Sequence, residues 1–268
     1  MKAGRKFAAI VLGAVFVSAL GANVLAPAPY EKQFRESPDA PPSRTFLLGT
    51  DDLGRDRLSR LLYGSRVSLL LAPAAALLAT ALATVAGGAA GLLGGWWERA
   101  FLGATDLSLS LPWLFGLITI RAMLPLDVTP AVSVGVTFLL LGLLGWAAPA
   151  RVVRAAVASM RSSEFMLHAR ASGFAGFRLL RFFLLPNLKP VVFTQFLIAI
   201  PVFILSEANL GLLGLGVSEP MPSWGNLLRE LENLSQVGAN PWMLAPAVLL
   251  ALVVTCLQLV APREDFVS

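Results

Sequence analysis

The chain has 268 residues, of which 56% are hydrophobic and 14% are charged, and its mean hydropathy is +0.73. This composition is typical of an integral membrane protein and excludes an ordinary soluble domain. The net charge of +5 and the isoelectric point near 10.0 come from cations between apolar segments, without the aromatic and basic motifs of nucleic-acid binding. Cys256 is the single cysteine and lies in an apolar run, which excludes an intrachain disulfide.

Six apolar segments are long enough to cross a membrane, because a bilayer core of about 30 Å requires about 20 helical residues. They cover residues 7–26, 67–95, about 105–124, 128–150, about 190–212 and 241–261. We therefore predict an all-α membrane protein with about six transmembrane helices. We interpret the first segment as a retained anchor, with a cleaved signal peptide as the alternative because Ala26-Pro27-Ala28 faintly resembles a cleavage site.

The second and third segments differ sharply in polarity. Residues 67–95 carry no charge and are rich in glycine and alanine, which predicts close contacts with neighbouring helices. In the third segment only 14 uncharged residues separate Asp106 from Arg121. We therefore expect both charges at the membrane interfaces, with the Arg121 side chain extended towards the headgroups.

Residues 27–66 form the longest polar stretch, and prolines at positions 27, 29, 38, 41 and 42 predict an extended external linker. From residue 53 onwards, leucine and arginine follow the pattern of an amphipathic helix lying on the outer membrane face. The residues of this pattern are Leu58, Leu61, Leu62, Arg57, Arg60 and Arg66. Gly54-Arg55-Asp56 lacks the glycine-rich context of an anion site, so we interpret it as a structural contact with a partner subunit.

Residues 151–189 form a basic insert between two apolar segments, and Glu164 is the one acid among them. The cations are Arg151, Arg154, Arg161, Arg170, Arg178, Arg181 and Lys189. We predict that Ser162 or Ser163 begins a short helix with Glu164 in its first turn, where the helix dipole favours an acid. Gly173 is predicted to end this helix in the left-handed conformation.

A second short helix is predicted to follow and to end at Pro186. Its apolar face and the cations beside that face comprise Phe177, Leu180, Leu184, Arg178 and Arg181. An exposed helix of this kind is typical of one that docks in a groove on another protein. A basic loop that only fixes topology or touches anionic lipid is the alternative.

Glu207 is the acid that we place inside a predicted span. It lies 17 residues after Pro190, which is about 26 Å along a helix and therefore near the outer interface, where a charge costs little. We interpret Glu207 and the nearby Asn209 as candidates for the solute pathway or its gate. Helix packing or capping is the alternative role for Glu207.

The sequence does not predict an enzyme. It has no Gly-x-x-x-x-Gly-Lys-Ser/Thr phosphate loop. His168 is the single histidine and is expected to pack or hydrogen-bond rather than to anchor a metal. The scattered acids and the single cysteine offer no catalytic triad, carboxylate pair or metal cluster, so we predict a chain that binds no cofactor itself.

Four stretches of the sequence resemble one family. The spacing from Gly173 over nine residues to Phe183, and then to Leu185-Pro186, resembles the cytoplasmic Glu-Ala-Ala signature of ABC importer permeases, with Leu167-His168-Ala169 in place of Glu-Ala-Ala. The other stretches are residues 48–69, 106–112 and 213–225. Together they make the chain similar to permeases of the dipeptide/oligopeptide/nickel class.

The resemblance implies a type I ABC importer permease in the bacterial cytoplasmic membrane, with both termini cytoplasmic. This orientation places 12 of the 21 lysines and arginines inside, in modest agreement with the positive-inside rule. The implied partners are a second homologous permease, two cytoplasmic ATPase subunits that hold ATP and Mg²⁺, and an extracytoplasmic solute-binding protein. A secondary transporter and a non-transporting assembly subunit are the alternatives, and the sequence does not identify the solute beyond the example of a di- or oligopeptide.

The implied organisation has three parts: residues 1–66 as anchor, linker and amphipathic helix, residues 67–262 as the permease domain with coupling loop 151–189, and residues 263–268 as a tail that we expect to be dispensable. The residues predicted to couple to the ATPase are Glu164, His168, Arg170, Gly173, Phe177, Arg178, Leu180, Arg181, Phe183 and Pro186. The residues predicted to contact partners on the outer side are Gly49, Asp51, Gly54, Arg55, Asp56, Pro222 and Trp224.

Overall fold

The computed structural model describes residues 2–110, 113–123, 129–232, 237–238 and 240–261. Within these ranges the chain is helical apart from turns and two isolated β-bridges, Gln33–Arg55 and Thr50–Asp56. The predicted all-α class is therefore confirmed. Pro112, which ends the 106–112 motif, and the tail 263–268 lie outside the described residues.

The described residues form a series of helices. They are α1 (Lys2–Leu20), α2 (Ala22–Leu25), α3 (Arg57–Leu93), α4 (Gly95–Ser110), α5 (Trp113–Met123), α6 (Pro130–Leu144), α7 (Ala147–Arg161), α8 (Glu164–Ala171), α9 (Gly176–Leu179), α10 (Leu185–Leu212), α11 (Trp224–Arg229) and α12 (Ala245–Val260). A π-helical turn (Leu180–Leu184) joins α9 to α10, and 3₁₀ turns cover Glu230–Glu232 and Pro241–Leu244.

In the described part of the chain, four helical stretches are long and apolar enough to cross a membrane. They are Arg57–Leu93, Pro130–Arg161, Gly176–Leu212 and Pro241–Val260, and they correspond to the second, fourth, fifth and sixth predicted spans. The third predicted span corresponds to α4 and α5, a bent pair that adds a fifth crossing if it is counted as one span. The first corresponds to α1, whose 19 residues extend about 28 Å, slightly less than a bilayer core.

The chain forms two compact units. The first unit comprises residues 1–73, 120–138 and 201–268, and the second comprises residues 74–119 and 139–200. Helices α3 and α10 contribute residues to both units.

In the first unit, α1 packs along α12. The buried positions of α1 include Ala8 and Ala19, whose small side chains permit a close approach of neighbouring helices. Arg66 of α3 closes the end of α1 by donating a hydrogen bond to the Ala19 carbonyl at 3.1 Å and another to the Leu20 carbonyl. These bonds satisfy carbonyls that have no partner within the last turn of α1.

Residues 27–56 fold back on themselves, which corrects the prediction of an extended linker. The backbone N–H of Thr50 donates to the Ala40 carbonyl at 3.0 Å, and that of Asp51 donates to the Arg55 carbonyl at 3.0 Å. The helix predicted on the outer membrane face is instead the beginning of α3. The Arg60 side chain within it is 1% exposed, because acids of the same chain neutralise it.

In the second unit, α3 and α7 approach closely at two glycines. A β-carbon on Gly87 would lie 2.2 Å from the Ala150 carbonyl oxygen, and one on Gly91 would lie 2.8 Å from the Arg154 carbonyl oxygen. The glycine-rich sequence of 67–95 therefore serves helix contact, as predicted.

Helix α7 also contacts α4 through charges, because Arg151 binds Asp106 and Arg154 binds Glu98. Since α7 extends to Arg161, these arginines lie on a helix and not in a loop. This corrects the predicted start of the basic insert at residue 151.

The helix after Gly176 does not end at Pro186, contrary to the prediction. Residues 176–212 form one helical stretch, with the π-helical turn directly before the proline. Proline has no N–H and its ring crowds the carbonyl four residues earlier, and a wider π-helical turn accommodates both effects. The Asn187 side-chain amide also donates to the Phe183 carbonyl at 2.7 Å, which satisfies one carbonyl near this turn.

Candidate functional site

Residues 162–184 of the second unit turn the chain between α7 and α10, and we call this segment the α8–α9 corner. The backbone N–H of Gly173 donates to the Arg170 carbonyl at 3.0 Å, and that of Phe174 donates to the Ala169 carbonyl at 3.1 Å. Gly173 has a φ of +84°, as predicted, so the pair of bonds forms the glycine-ended motif that closes a helix.

The beginning of α8 agrees with the prediction only in part. Ser163 precedes the helix and Glu164 lies in its first turn. The Ser163 hydroxyl, however, donates to the Met160 carbonyl and does not accept a hydrogen bond from α8. Ser163 therefore fixes the junction with α7 and is not a side-chain cap of α8.

A buried apolar cluster holds the corner against α7 and α10. Its members are 2% exposed or less and comprise Val153, Val157, Met166, Leu184 and Leu188. Leu180 and Phe183 are partly buried against this cluster. This corrects the predicted docking face: Leu184 packs inside the chain, Leu180 is partly buried, and Phe177 alone of these three residues is exposed.

The outward side of the corner carries large exposed apolar side chains. Phe177 is 69% exposed and Phe182 is 60% exposed, while Leu167 and Phe165 of α8 are 55% and 39% exposed. The sequence analysis missed Phe165, Leu167 and Phe182. The run Phe165-Met166-Leu167 contained the signal, since consecutive helical residues point in different directions and only Met166 is buried.

The charged residues predicted to couple to the ATPase also lie on the exposed surface of the corner. They are Glu164, His168, Arg170, Arg178 and Arg181, and Gly173 and Pro186 are exposed beside them. The Arg181 guanidinium lies 5.8 Å from the centre of the Phe182 ring. Among the described residues no acid forms an ion pair with Arg170, Arg178 or Arg181, so the corner is electropositive.

The first unit contains a separate network of charges, in which Asp51, Arg55 and Arg60 are buried and Glu219 is half exposed. The Arg55 Nε donates to the Asp51 Oδ2 at 2.7 Å, and the Arg55 Nη1 donates to the Glu219 Oε2 at 2.7 Å. The Arg60 Nη2 donates to the Glu219 Oε1 at 2.9 Å. Burial tends to raise the pKa of Glu219, but the hydrogen bond and charge of Arg60, together with those of Arg55, outweigh burial and lower that pKa. The network thereby connects the segment before α3 to the loop before α11.

Two glycines and an aspartate complete this part of the first unit. Gly49 and Gly54 have φ values of +71° and +73°, and a β-carbon on Gly54 would lie 2.3 Å from the Phe34 carbonyl oxygen. Asp56 precedes α3 and accepts hydrogen bonds from the Ser59 amide at 2.7 Å and from the Ser59 hydroxyl at 2.6 Å. It therefore acts as the N-terminal cap of α3.

The residues predicted to contact partners on the outer side are all buried within this chain. They are Gly49, Asp51, Gly54, Arg55, Asp56, Pro222 and Trp224. Polar groups of this set bind other residues of the same chain, so these residues first of all hold the fold of the first unit. Their contact with a partner stays a prediction.

Glu207 of α10 is fully buried within the chain. Its Oε2 accepts a hydrogen bond from the Ser68 hydroxyl of α3 at 3.2 Å. The Trp224 backbone N–H donates to the same hydroxyl at 3.3 Å, and the Trp224 indole N–H donates to the Ser65 hydroxyl at 3.0 Å. Glu207 thus belongs to a junction of α3, α10 and α11, whereas Asn209 is exposed.

Arg121 of α5 does not extend to the membrane surface as we expected, because its residue is only 6% exposed. Its Nε donates to the Leu215 carbonyl at 3.0 Å, and its Nη2 donates to the Gly216 carbonyl at 3.0 Å and to the Ser133 hydroxyl. The backbone of the loop after α10 therefore takes the place that we assigned to lipid headgroups. Nothing in the local sequence around Arg121 signals these distant carbonyls.

Among the described residues no group of three His, Cys, Asp or Glu side chains is arranged to hold a metal ion. The described residues instead carry ion pairs in both units and an exposed, basic and aromatic surface at the α8–α9 corner of the second unit. With several helices that can cross a membrane, these features define a multi-pass membrane protein.

Comparison with known proteins assigns this membrane protein to a family. Residues 67–263 match the family described as "Binding-protein-dependent transport system inner membrane component", and the chain belongs to that family. The match covers most of the chain and confirms both the resemblance and the prediction of a transport subunit rather than an enzyme. The family description also implies an external solute-binding partner.

Individual relatives are similar over most of the chain. The oligopeptide transport system permease protein OppC of Mycobacterium tuberculosis is 33% identical over 246 residues, which are 91% of this chain and 82% of the relative. The dipeptide transport system permease protein DppC of Bacillus subtilis is 31% identical over 216 residues, 81% of this chain and 66% of the relative. OppC of Haemophilus influenzae is 30% identical over 213 residues, 79% of this chain and 66% of the relative. The chain thus spans just under two thirds of the last two relatives.

Proposed function

We propose that the chain is the membrane-spanning permease subunit of an ATP-driven importer of di- or oligopeptides. It forms half of the solute pathway, and a second, homologous permease forms the other half. Two cytoplasmic ATPase subunits drive the cycle, and an external binding protein delivers the solute. The names of the relatives, which are dipeptide and oligopeptide permeases, support the peptide class.

The observation that carries the proposal is the surface of the α8–α9 corner. Phe177 and Phe182 are exposed to water or to a partner, although their burial would stabilise a complex by about 1.5–3 kcal/mol each. Arg178 and Arg181 flank them without an acidic partner among the described residues. An aromatic centre with a charged rim is the usual anatomy of a protein interface, and we assign it to the ATPase subunit.

The buried cluster behind the corner explains how docking is coupled to the membrane helices. Met166 and Leu184 pack with Val157 of α7, so a force on the corner is transmitted to α7 and α10 through packed side chains. Nucleotide on the ATPase and loaded binding protein outside would each favour a different state of the pathway.

We assign the α8–α9 corner and both termini to the cytoplasm. ATP and Mg²⁺ are bound by the ATPase subunits, and this chain binds no cofactor.

The experiment that tests the proposal compares charge reversals in the full importer. Arg178→Glu combined with Arg181→Glu should reduce both co-purification of the ATPase subunit and ATP-driven peptide uptake, because the rim would repel its partner. Arg99→Glu is the matched control, since Arg99 is an exposed cation of α4 outside the corner. If the double variant retains the ATPase subunit and transports as well as the control, the corner is not the coupling element.

A further inference from the structure

A cavity of about 240 Å³ lies in the first unit beside Arg121. Its polar side chains are Arg121, Glu219, Asn226 and Arg229, and the backbone of residues 214–218 forms the rest of its wall. An ionisable residue in a helix that contributes to a membrane crossing usually has a functional reason, because its burial is costly. Arg121 occupies such a position near the end of α5.

The hydrogen bonds of Arg121 leave part of its guanidinium available. A guanidinium has five N–H groups, and the described residues accept three of them, at the Leu215 and Gly216 carbonyls and the Ser133 hydroxyl. The described part of the chain offers no acceptor to Nη1 and no carboxylate to Arg121. The three bonds fix the plane of the guanidinium, so the two N–H groups of Nη1 are held in a defined orientation.

The balance of charge around the cavity is positive. Glu219 is the one acid that lines it, and Arg55 and Arg60 bind both of its carboxylate oxygens at 2.7 Å and 2.9 Å. Arg229 also lines the cavity and forms no ion pair with the described residues. Asn226 directs its side-chain N–H groups to the Val217 and Met221 carbonyls and so adds no cation.

We propose that this cavity binds the carboxylate of the transported solute, which for a peptide is its C-terminal carboxylate, between Arg121 and Arg229. The proposal rests on the peptide importer function. Because Nε and both N–H groups of Nη2 are already bonded, Nη1 of Arg121 donates one charge-assisted hydrogen bond to a carboxylate oxygen and Arg229 supplies the second cation. A volume of about 240 Å³ is smaller than a typical whole-ligand pocket, so it fits the terminal residue of a peptide and not its full length.

The test measures uptake of tri-alanine and of tri-alanine amide by the complete importer, with its binding protein, in proteoliposomes. Arg229→Gln is the main variant, because Arg229 is exposed and donates no hydrogen bond to any residue that the structure describes. Arg35→Gln is the control, since it removes an exposed cation outside the cavity. The binding protein is the same in all assays, so its own preference for tri-alanine or the amide cancels when the KM of a variant is divided by the KM of the wild type.

Arg229→Gln should raise the KM for tri-alanine about tenfold, which is the loss expected for one charge-assisted hydrogen bond. The same variant should leave the KM for tri-alanine amide unchanged, and the control Arg35→Gln should leave both KM values unchanged. Arg121→Gln should act in the same direction, with thermal unfolding measured alongside because Arg121 also holds the loop. Equal effects on acid and amide, or none, would overturn the carboxylate site. An effect of these variants that is confined to vesicles with anionic lipid would show that the cavity binds a lipid headgroup. Weaker capture of the unloaded binding protein by the variants would show that the cavity contacts that protein. Both outcomes refute the proposal.

Uptake by the wild-type importer separates failure of the peptide function from failure of the cavity site. Wild-type importer that takes up neither tri-alanine nor its amide refutes the peptide function and the cavity proposal with it. Wild-type uptake that Arg229→Gln leaves unchanged refutes the cavity proposal alone.

Discussion

The substitution Gly173→Ala isolates the backbone conformation that ends α8. Gly173 has a φ of +84°, and no atom lies within 4 Å of the position that a β-carbon would occupy. The alanine methyl therefore meets open space, and its effect comes from the left-handed conformation alone. That conformation costs a non-glycine residue roughly 1–2 kcal/mol.

The expected magnitude follows from the two hydrogen bonds that Gly173 makes possible. The amides of Gly173 and Phe174 donate to carbonyls of α8 at 3.0 Å and 3.1 Å, and both bonds open when the residue leaves the left-handed region. A cost of about 1–2 kcal/mol raises the population of the open corner about 5- to 30-fold. The amide protons of residues 173 and 174 should exchange with solvent faster by the same factor.

Hydrogen exchange with mass spectrometry on peptides that cover residues 164–180 measures this directly. Gly173→Asn should restore most of the protection, because asparagine tolerates the left-handed region better than alanine. Gly135→Ala, at a helical glycine with open space around it, is the control and should not change exchange at the corner. Unchanged exchange in Gly173→Ala would refute the assignment of strain to this position.

Three further predictions concern stability, measured by thermal unfolding in detergent. Gly87→Leu should destabilise the chain by about 1–3 kcal/mol or more because its β-carbon would lie 2.2 Å from the Ala150 carbonyl oxygen, whereas Gly88→Leu meets no atom at its β-carbon and should be tolerated. The pKa of Glu219 is lowered in the folded chain, so its ionised carboxylate stabilises the fold fully above pH 4.5, its ordinary pKa, and this stabilisation is lost as the pH falls through the lowered pKa. Glu219→Gln should remove this part of the pH dependence of the unfolding temperature. Trp224→Phe should cost about 1–3 kcal/mol, since it removes the 3.0 Å hydrogen bond to Ser65 and part of a buried ring. The first prediction would be contradicted if Gly87→Leu and Gly88→Leu unfolded at the same temperature, and the second if Glu219→Gln kept the wild-type pH profile of stability. The third would be contradicted if Trp224→Phe unfolded at the wild-type temperature.

Much of the fold could be predicted because it depends on local composition. Uncharged runs of about 20 residues predict membrane helices whatever their neighbours, and the last span agrees within a residue with Pro241–Val260. The left-handed Gly173 was predictable because glycine is the residue that ends helices in this way. Pro186 was misleading because the cost of a proline depends on the turn before it, and the π-helical turn at 180–184 has no reliable sequence signal.

The buried polar groups could not be predicted from local pattern. Arg60 belongs to a leucine and arginine repeat that favours a surface helix, but the carboxylate to which it is hydrogen-bonded is that of Glu219, which lies 159 residues away in the sequence. Arg121 is held by carbonyls 94 and 95 residues away. Contacts of this separation are decided by tertiary packing, so the family motifs identified the residues without revealing what each one binds.

The most direct test of the central claim is uptake of a labelled tripeptide into vesicles that contain this chain, its permease partner and the ATPase subunits, with the binding protein on the outer side. The account predicts accumulation that requires ATP and the binding protein and that is lost when Arg178 and Arg181 are both replaced by Glu. Accumulation driven by an ion gradient without ATP, or no difference between wild type and the double variant, would contradict it.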